Sequence, residues 1–229
     1  MAGVKETPRQ RMIGILYLVL LGLIALSVND SLLDAFKNIT DSLSTSTTNV
    51  NSGVEATFSS FEATKLKDDP IKAKPIYDKA KQASGYARDL ESYINDLKTS
   101  LTEQGGGINE SSGDLEGRAS VDISPRFMIN GGKATDLRKK ITETREKLLG
   151  LLDEKDRKTV KFSLSTIDPP RKGGVSKTWE EANFGDGIPL AAAMTALTKI
   201  QADVKNAESE MVKKILGKMD QAEINLDEF

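Results

Sequence analysis

The apolar positions of this chain form one continuous block followed by periodic series. Residues 12–28 carry no charge and are almost wholly apolar. As a helix rising about 1.5 Å per residue the block measures roughly 25 Å, and the turns at residues 8–11 and Asn29 extend it to the ~30 Å of a bilayer core. Thr7 as cap and Pro8 in the first turn suit its start. Beyond it, Leu32, Phe36, Ile39, Leu43, Val50, Val54, Phe58 and Phe61 recur at helical spacing, with a weak Ser/Thr-rich patch at residues 44–48. The pattern predicts one long helix leaving the membrane and ending near Lys67, stopped by Asp68-Asp69-Pro70.

A second helix is predicted from about Lys74-Pro75, with Ile76, Ala80, Ala83, Ala87, Leu90, Ile94, Leu97 and Leu101 forming a lengthwise packing seam. Gly105-Gly106-Gly107 ends it. A Gly/Ser-rich connection follows, with Ser111-Ser112-Gly113, Asn130-Gly131-Gly132 and a short strand expected over residues 119–123. A third helix from about Ala134 carries Leu137, Ile141, Thr144, Leu148 and Leu151. Residues 159–167 then alternate Val160, Phe162 and Leu164 with polar positions, as a short strand would. Asp168-Pro169-Pro170 and Gly173-Gly174 break the chain before a fourth helix, which starts at Pro189 and carries Leu190, Ala193, Leu197, Ile200, Val204, Ala207, Met211, Ile215 and Met219. The fold class expected is all-α: an N-terminal membrane helix continuing into an up-down four-helix bundle, with minor β in the connections.

Charge orients the apolar block. Lys5, Arg9 and Arg11 precede it against Glu6 alone, whereas Asp30 and Asp34 follow and no Lys or Arg appears before Lys37. The bias places the amino terminus in the cytoplasm and the chain after Asp30 across the membrane. A cleaved signal peptide would also start basic and apolar, with a small-x-small site at Ala25-Leu26-Ser27. The apolar block is longer than the ~7–15 residues of such a leader. Helical periodicity also resumes beyond it, so a retained anchor is the reading adopted. The organisation expected is a tail and helix start over 1–11, a membrane helix over 12–29, a helical domain over 30–222 and a linker from 223–229 toward further domains.

Within the block, Gly14, Leu18, Gly22 and Ala25 make a mostly small-residue stripe that lets another helix approach. Tyr17 lies deeper than an interfacial tyrosine sits, so its hydroxyl calls for a partner. Arg11, with Lys5, is read as setting topology. The block holds no acidic residue, so a carboxylate titrating in ion-driven work would belong to a partner.

Composition narrows the function classes. The chain is 29% charged with a net charge of −2, and it lacks a basic stripe with interleaved aromatics, so nucleic acid is not an expected partner. It has no Cys and no His, which removes disulfides, thiolate nucleophiles, Cys/His zinc sites and a histidine base. No cofactor and no enzymatic activity are expected. "KGGVSKT" has Ser176 where a phosphate loop needs Gly before its Lys, and "NGGKAT" lacks the leading Gly, so both read as loop glycines. "DEKDRK" reads as a charged helix end, and Glu180 and Glu181 are neighbours that face different atoms.

Two stretches resemble the GldM/PorM family: "MAGVKETPRQRMIGILYLVLLGLIAL" at the amino terminus and "TWEEANFGDGIPLAAAMTALTKIQADVKNAESEMV" over residues 178–212. The resemblance implies an inner-membrane, periplasm-spanning subunit of the motor for type IX secretion and gliding. It implies a homodimer whose membrane helices sit inside a ring of the smaller membrane protein GldL, with proton flow driving the motor. It also implies β-rich domains beyond this chain that reach an outer-membrane-side complex. Arg9 matches the position that pairs with a partner glutamate in the membrane, and Tyr17 matches the motif's membrane tyrosine. A ligand-sensing periplasmic bundle or scaffold on one membrane helix is the alternative, but a sensor would need an output domain that eleven cytoplasmic residues do not supply.

Overall fold

A computed structural model describes residues 8–26, 29–171, 173–174 and 176–219, with the backbone alone over 21–26. Helix α1 is Pro8–Leu26, opened by its proline as expected. Its side chains from Met12 to Leu20 are exposed. Among the described residues, no helix is long and apolar enough to cross a membrane.

The single rod expected from the periodicity is interrupted. Asn29 is extended at φ −63° and ψ 128°, and its side chain accepts from the Ser31 N–H at 2.9 Å, so it caps a new helix, α2, Asp30–Ala63. Asparagine competes for backbone donors and is preferred at that position, and Asp30 in the first turn complements the helix dipole. The hydrophobic repeat spans the cap without registering it.

Helix α2 stops at Thr64, and the one-turn α3, Lys65–Asp68, leads to Asp69, whose carboxylate caps α4, Pro70–Gln104. Helix α4 thus starts earlier than predicted and carries Pro75 inside it, giving up one helical hydrogen bond. Its seam holds: Ala80, Ala83, Ala87, Leu90, Ile94, Leu97 and Leu101 are buried and Ile76 is half-buried. After a π-helical turn, Pro125–Asn130, come α5, Lys133–Gly150, and α6, Glu154–Thr159. Helices α7, Trp179–Phe184, and α8, Leu190–Leu216, complete the fold.

No strand occurs among the described residues, where the one β feature is an isolated bridge between Ile108 and Leu115. Residues 119–123, expected as strand, pass through turn and bend up to Asp122, and Ile123 is already helical. Residues 160–170 do run outside any helix, with Leu164 buried and Phe162 half-buried, but no second strand pairs with them. A chain laid over helices points alternate side chains inward just as a sheet strand does, which explains the shared pattern.

The order of directions differs from the expected up-down alternation. Thr40 meets Thr195 and Asn51 meets Lys205, so α8 runs parallel to α2. Glu91 meets Lys205 while Asn95 meets Gln201, so α4 opposes both. Tyr93 with Lys140 and Tyr86 with Lys147 set α5 antiparallel to α4. The non-helical segment between α6 and α7 returns the chain before α8, at up to ~3.3 Å per residue against 1.5 Å in a helix.

The interior divides into two apolar cores. The lower joins Leu90, Ile94 and Leu97 of α4, Leu137 and Ile141 of α5, Trp179 and Phe184 of α7, and Leu197 and Val204 of α8. The upper joins Val54, Phe58 and Phe61 of α2 to Ala80 and Ala83 of α4, Leu148 of α5, and Met211 and Ile215 of α8. Helix α2 contributes only to the upper core. Between them every long helix carries a polar residue: Asn51 on α2, Ser84 on α4, Thr144 on α5, and Lys205 with Glu208 on α8.

Candidate functional site

The residues singled out in the apolar block lie on α1, away from this packing. Arg9, Arg11, Gly14, Tyr17 and Leu18 are exposed. A Cβ at Gly14 would meet nothing within 4 Å, so the close approach its stripe permits is not made inside this chain. Gly22 and Ala25 continue the same face of the helix in backbone, and Lys5 lies outside the described residues.

The start of α2 is more constrained. Its first turn places Asp30 and Asp34 one turn apart on one face, and Arg118, from the long α4–α5 connection, reaches both. The guanidinium lies 3.0 Å from Asp30, 2.7 Å from Asp34 and 2.9 Å from Asp114, with the arginine side chain 25% exposed. The Arg118 carbonyl accepts from the Ala191 N–H at 3.0 Å, and the Ser120 carbonyl accepts from Leu190 at 2.8 Å. These are donors at the start of α8, which Pro189 leaves without a side-chain cap. One residue therefore ties the root of α2 to the root of α8, with Leu33 buried alongside.

Arg118→Ala is expected to loosen Asp30 to Asp34 without unfolding the cores. The measurement is amide exchange over those residues. Wild type and variant should converge as salt is raised toward ~1 M, where screening acts within about 3 Å.

Higher up, α8 presents a second stripe. Thr198, Gln201, Lys205 and Glu208 are buried at 3-4-3 spacing, one position after the apolar seam. Lys205 Nζ donates to Glu91 at 3.0 Å, Glu208 at 3.1 Å and Asn51 at 3.0 Å. Burial opposes its charge, but these carboxylates prevail and raise its pKa. Gln201 accepts from Lys98 at 2.9 Å and donates to Asn95 at 2.6 Å. Burial lowers the pKa of Lys98. Above this belt a polar groove of about 760 Å³ separates α2 from α4, with Thr47, Asn51, Ser84, Arg88 and Glu91 among its walls. At its upper end the Tyr77 hydroxyl donates to Glu62, and burial together with that carboxylate pushes the phenol up to about 12. The far end is clasped by Lys218 on Asp153 at 2.6 Å and Asp156 at 2.8 Å. Lys218 and the Asp156 N–H hold the Asp153 carboxyl down at about 2.

The paired acids resolve as structure. Glu180 takes Arg138 at 2.9 Å, which also meets Asp168 at 3.1 Å, while Glu181 closes the capping box with Thr178 that starts α7. Gly132, Gly173 and Gly174 sit at positive φ in turns. Among the described residues no cluster of Asp and Glu could hold a metal ion. Arg118 and Lys205 escaped a reading organised by apolar periodicity. The polar stripe on α8 was visible as a second helical repeat, but Arg118 sits in an irregular connection with no local signal.

The architecture is thus a helical body rooted directly behind an apolar segment, with charge clamps at its root and tip. The family description of the GldM N-terminal domain matches residues 31–218, from the first turn of α2 to just past the end of α8. The chain belongs to the GldM family. No curated protein matches it. GldM-family proteins are components of gliding motility and type IX secretion, associated with the inner membrane and with membrane partners such as GldL. The clamp residues Asp34, Arg118, Lys205 and Lys218 all fall inside the matched GldM domain.

Proposed function

We propose that this GldM-family chain is a single-pass, inner-membrane-anchored shaft subunit of a motor driven by the proton motive force. In this reading the apolar block of residues 12–28, which runs beyond the described part of α1, spans the bilayer with the amino terminus in the cytoplasm. Two copies pair within a GldL ring, and the helical domain carries torque into the periplasm, toward further domains on the outer-membrane side. The role is mechanical: no catalysis and no cofactor is invoked. The observation that carries it is the root itself. The apolar block ends one residue before the Asn29 cap, and Arg118 fastens the helix beyond that cap to the start of α8. A displacement of the root is thereby delivered into the bundle.

Arg9 is assigned the coupling. An ion pair at the membrane edge is stronger than in water, and protonation of the partner glutamate would release it, so the pair can alternate with proton flow. Arg11 and Lys5 set topology, while Tyr17 and the Gly14, Leu18, Gly22 and Ala25 face serve contacts between membrane helices. Arg9→Ala is expected to assemble with GldL, as judged by co-purification in mild detergent, yet to lose secretion and gliding. Arg11→Ala should retain both. Normal secretion by an Arg9→Ala variant would remove the coupling from this residue.

A further inference from the structure

We propose that α2 contains a built-in bending joint over residues 42–53, between a root fastened by Arg118 and a tip seated in the upper core. The functional side of this proposal rests on the shaft reading above; the joint itself does not.

Four observations converge on that segment. First, its sequence is "SLSTSTTNVNSG", in which Ser, Thr and Asn predominate and Gly53 closes the run. These residues hold a helix weakly, because their side chains offer the backbone other hydrogen bonds and glycine has excess freedom. Second, those side chains do turn on their own helix. Ser42, Ser44, Thr45, Thr47 and Thr48 each donate to the carbonyl four residues back, at 2.8 to 3.1 Å. Such back-bonding loosens and bends helices.

Third, the segment belongs to neither core. No residue from 42 to 53 is buried, and Leu43, Thr47, Val50 and Asn51 are half-buried, while Leu33 before it and Val54, Phe58 and Phe61 after it are buried. On one flank the polar groove replaces packing against α4. Helix α8 lies alongside α2 here, and the side-chain hydrogen bonds between the two stand at the edges of the segment: the Thr40 and Thr195 hydroxyls below, 2.9 Å apart, and Asn51 with Lys205 above. Fourth, both ends are held. Asp30 and Asp34 are gripped by Arg118 below, and Phe58 and Phe61 pack against Tyr77 above. A helix fastened at its ends and soft between them bends in the middle. In the motor this lets the root tilt with the membrane helix while the upper core stays seated.

The test is amide exchange on the full chain in detergent, with a stiffened variant beside it. Ser46→Ala, Asn49→Ala, Ser52→Ala and Gly53→Ala alter exposed positions, and a Cβ at Gly53 meets nothing within 4 Å. Amides of residues 44–53 are expected to exchange about tenfold faster than those of residues 55–62, and the variant to abolish that difference. Expressed in cells at normal level and still co-purifying with GldL, the variant should secrete several-fold less. Equal exchange across α2 in the wild type overturns the joint. A variant with a protected segment and full secretion overturns its role in the motor. Full secretion by Arg9→Ala strikes the coupling assignment instead and leaves the exchange result standing.

Discussion

Lys205→Met is expected to destabilise the helical domain by about 3–5 kcal/mol, the scale seen when one partner of a buried ion pair is removed. The side chain of Lys205 is 9% exposed, that of Glu208 6% and that of Glu91 22%, and the Lys205 ammonium is paired with both carboxylates. Methionine matches the length of the stem but leaves Glu208 and Glu91 as unpaired charges between two apolar cores. Against a typical total of ~5–15 kcal/mol, such a loss brings the domain close to unfolding. Urea titration at neutral pH measures it.

Removing the charges together, as Lys205→Met with Glu91→Gln and Glu208→Gln, should recover much of the loss, because the cost lies in the orphaned acids rather than in a missing attraction. The pH dependence comes from the direction of the shift. The folded state raises the pKa of Lys205 above its ordinary 10.5, so its contribution is complete below that value and is lost only as pH climbs through the higher folded one. Wild type should therefore show no Lys205-linked loss at neutral pH, and the gap to the variant should narrow only in strong alkali.

Phe184→Ala is expected to cost about 3–5 kcal/mol, the range for deleting a fully buried aromatic. Its ring is fully buried in the lower core and meets Trp179 edge-on at 5.9 Å. Helix α7 has six residues, and these two aromatics are its buried side chains. The carbonyl of Phe184 also accepts from the buried Ser124 hydroxyl at 3.1 Å, linking α7 to the π-helical turn. Loss of the ring should release α7 from α5 and α8 before the upper core melts. Trp179 is the chain's single tryptophan, so its fluorescence should shift to the red under conditions where far-UV circular dichroism still reports the long helices. Coincident transitions by the two probes would show that α7 has no separate stability.

The seam of α4 and the apolar face of α8 were legible because each helix writes its burial into a repeat of three and four. Leu90, Ile94, Leu197 and Val204 are buried where that repeat places them. The same rule misled at Leu32 and Ile39, both 48% exposed, while Leu33 beside them is buried. The face of α2 is set by Arg118 and α8, not by its most apolar line. It also missed the cap at Asn29, since a cap costs the repeat nothing, and it read residues 159–167 as strand, since extended chain on helices alternates in the same way.

The candidate coupling residues were readable for a different reason. Arg9 is singled out by the resemblance at the amino terminus, and Tyr17 by that resemblance and by its depth in the apolar block, whereas the clamps joining Arg118 to Asp34 and Lys205 to Asn51 span 84 and 154 residues. By itself the sequence determined that the chain is helical, where most helices lie, and that an apolar segment precedes them. Those are properties of neighbouring residues and their spacing. The parallel course of α8, the division into two cores and the burial of Lys205 were decided only in the folded chain. Each depends on which distant segments share one interior, and local periodicity carries no record of that.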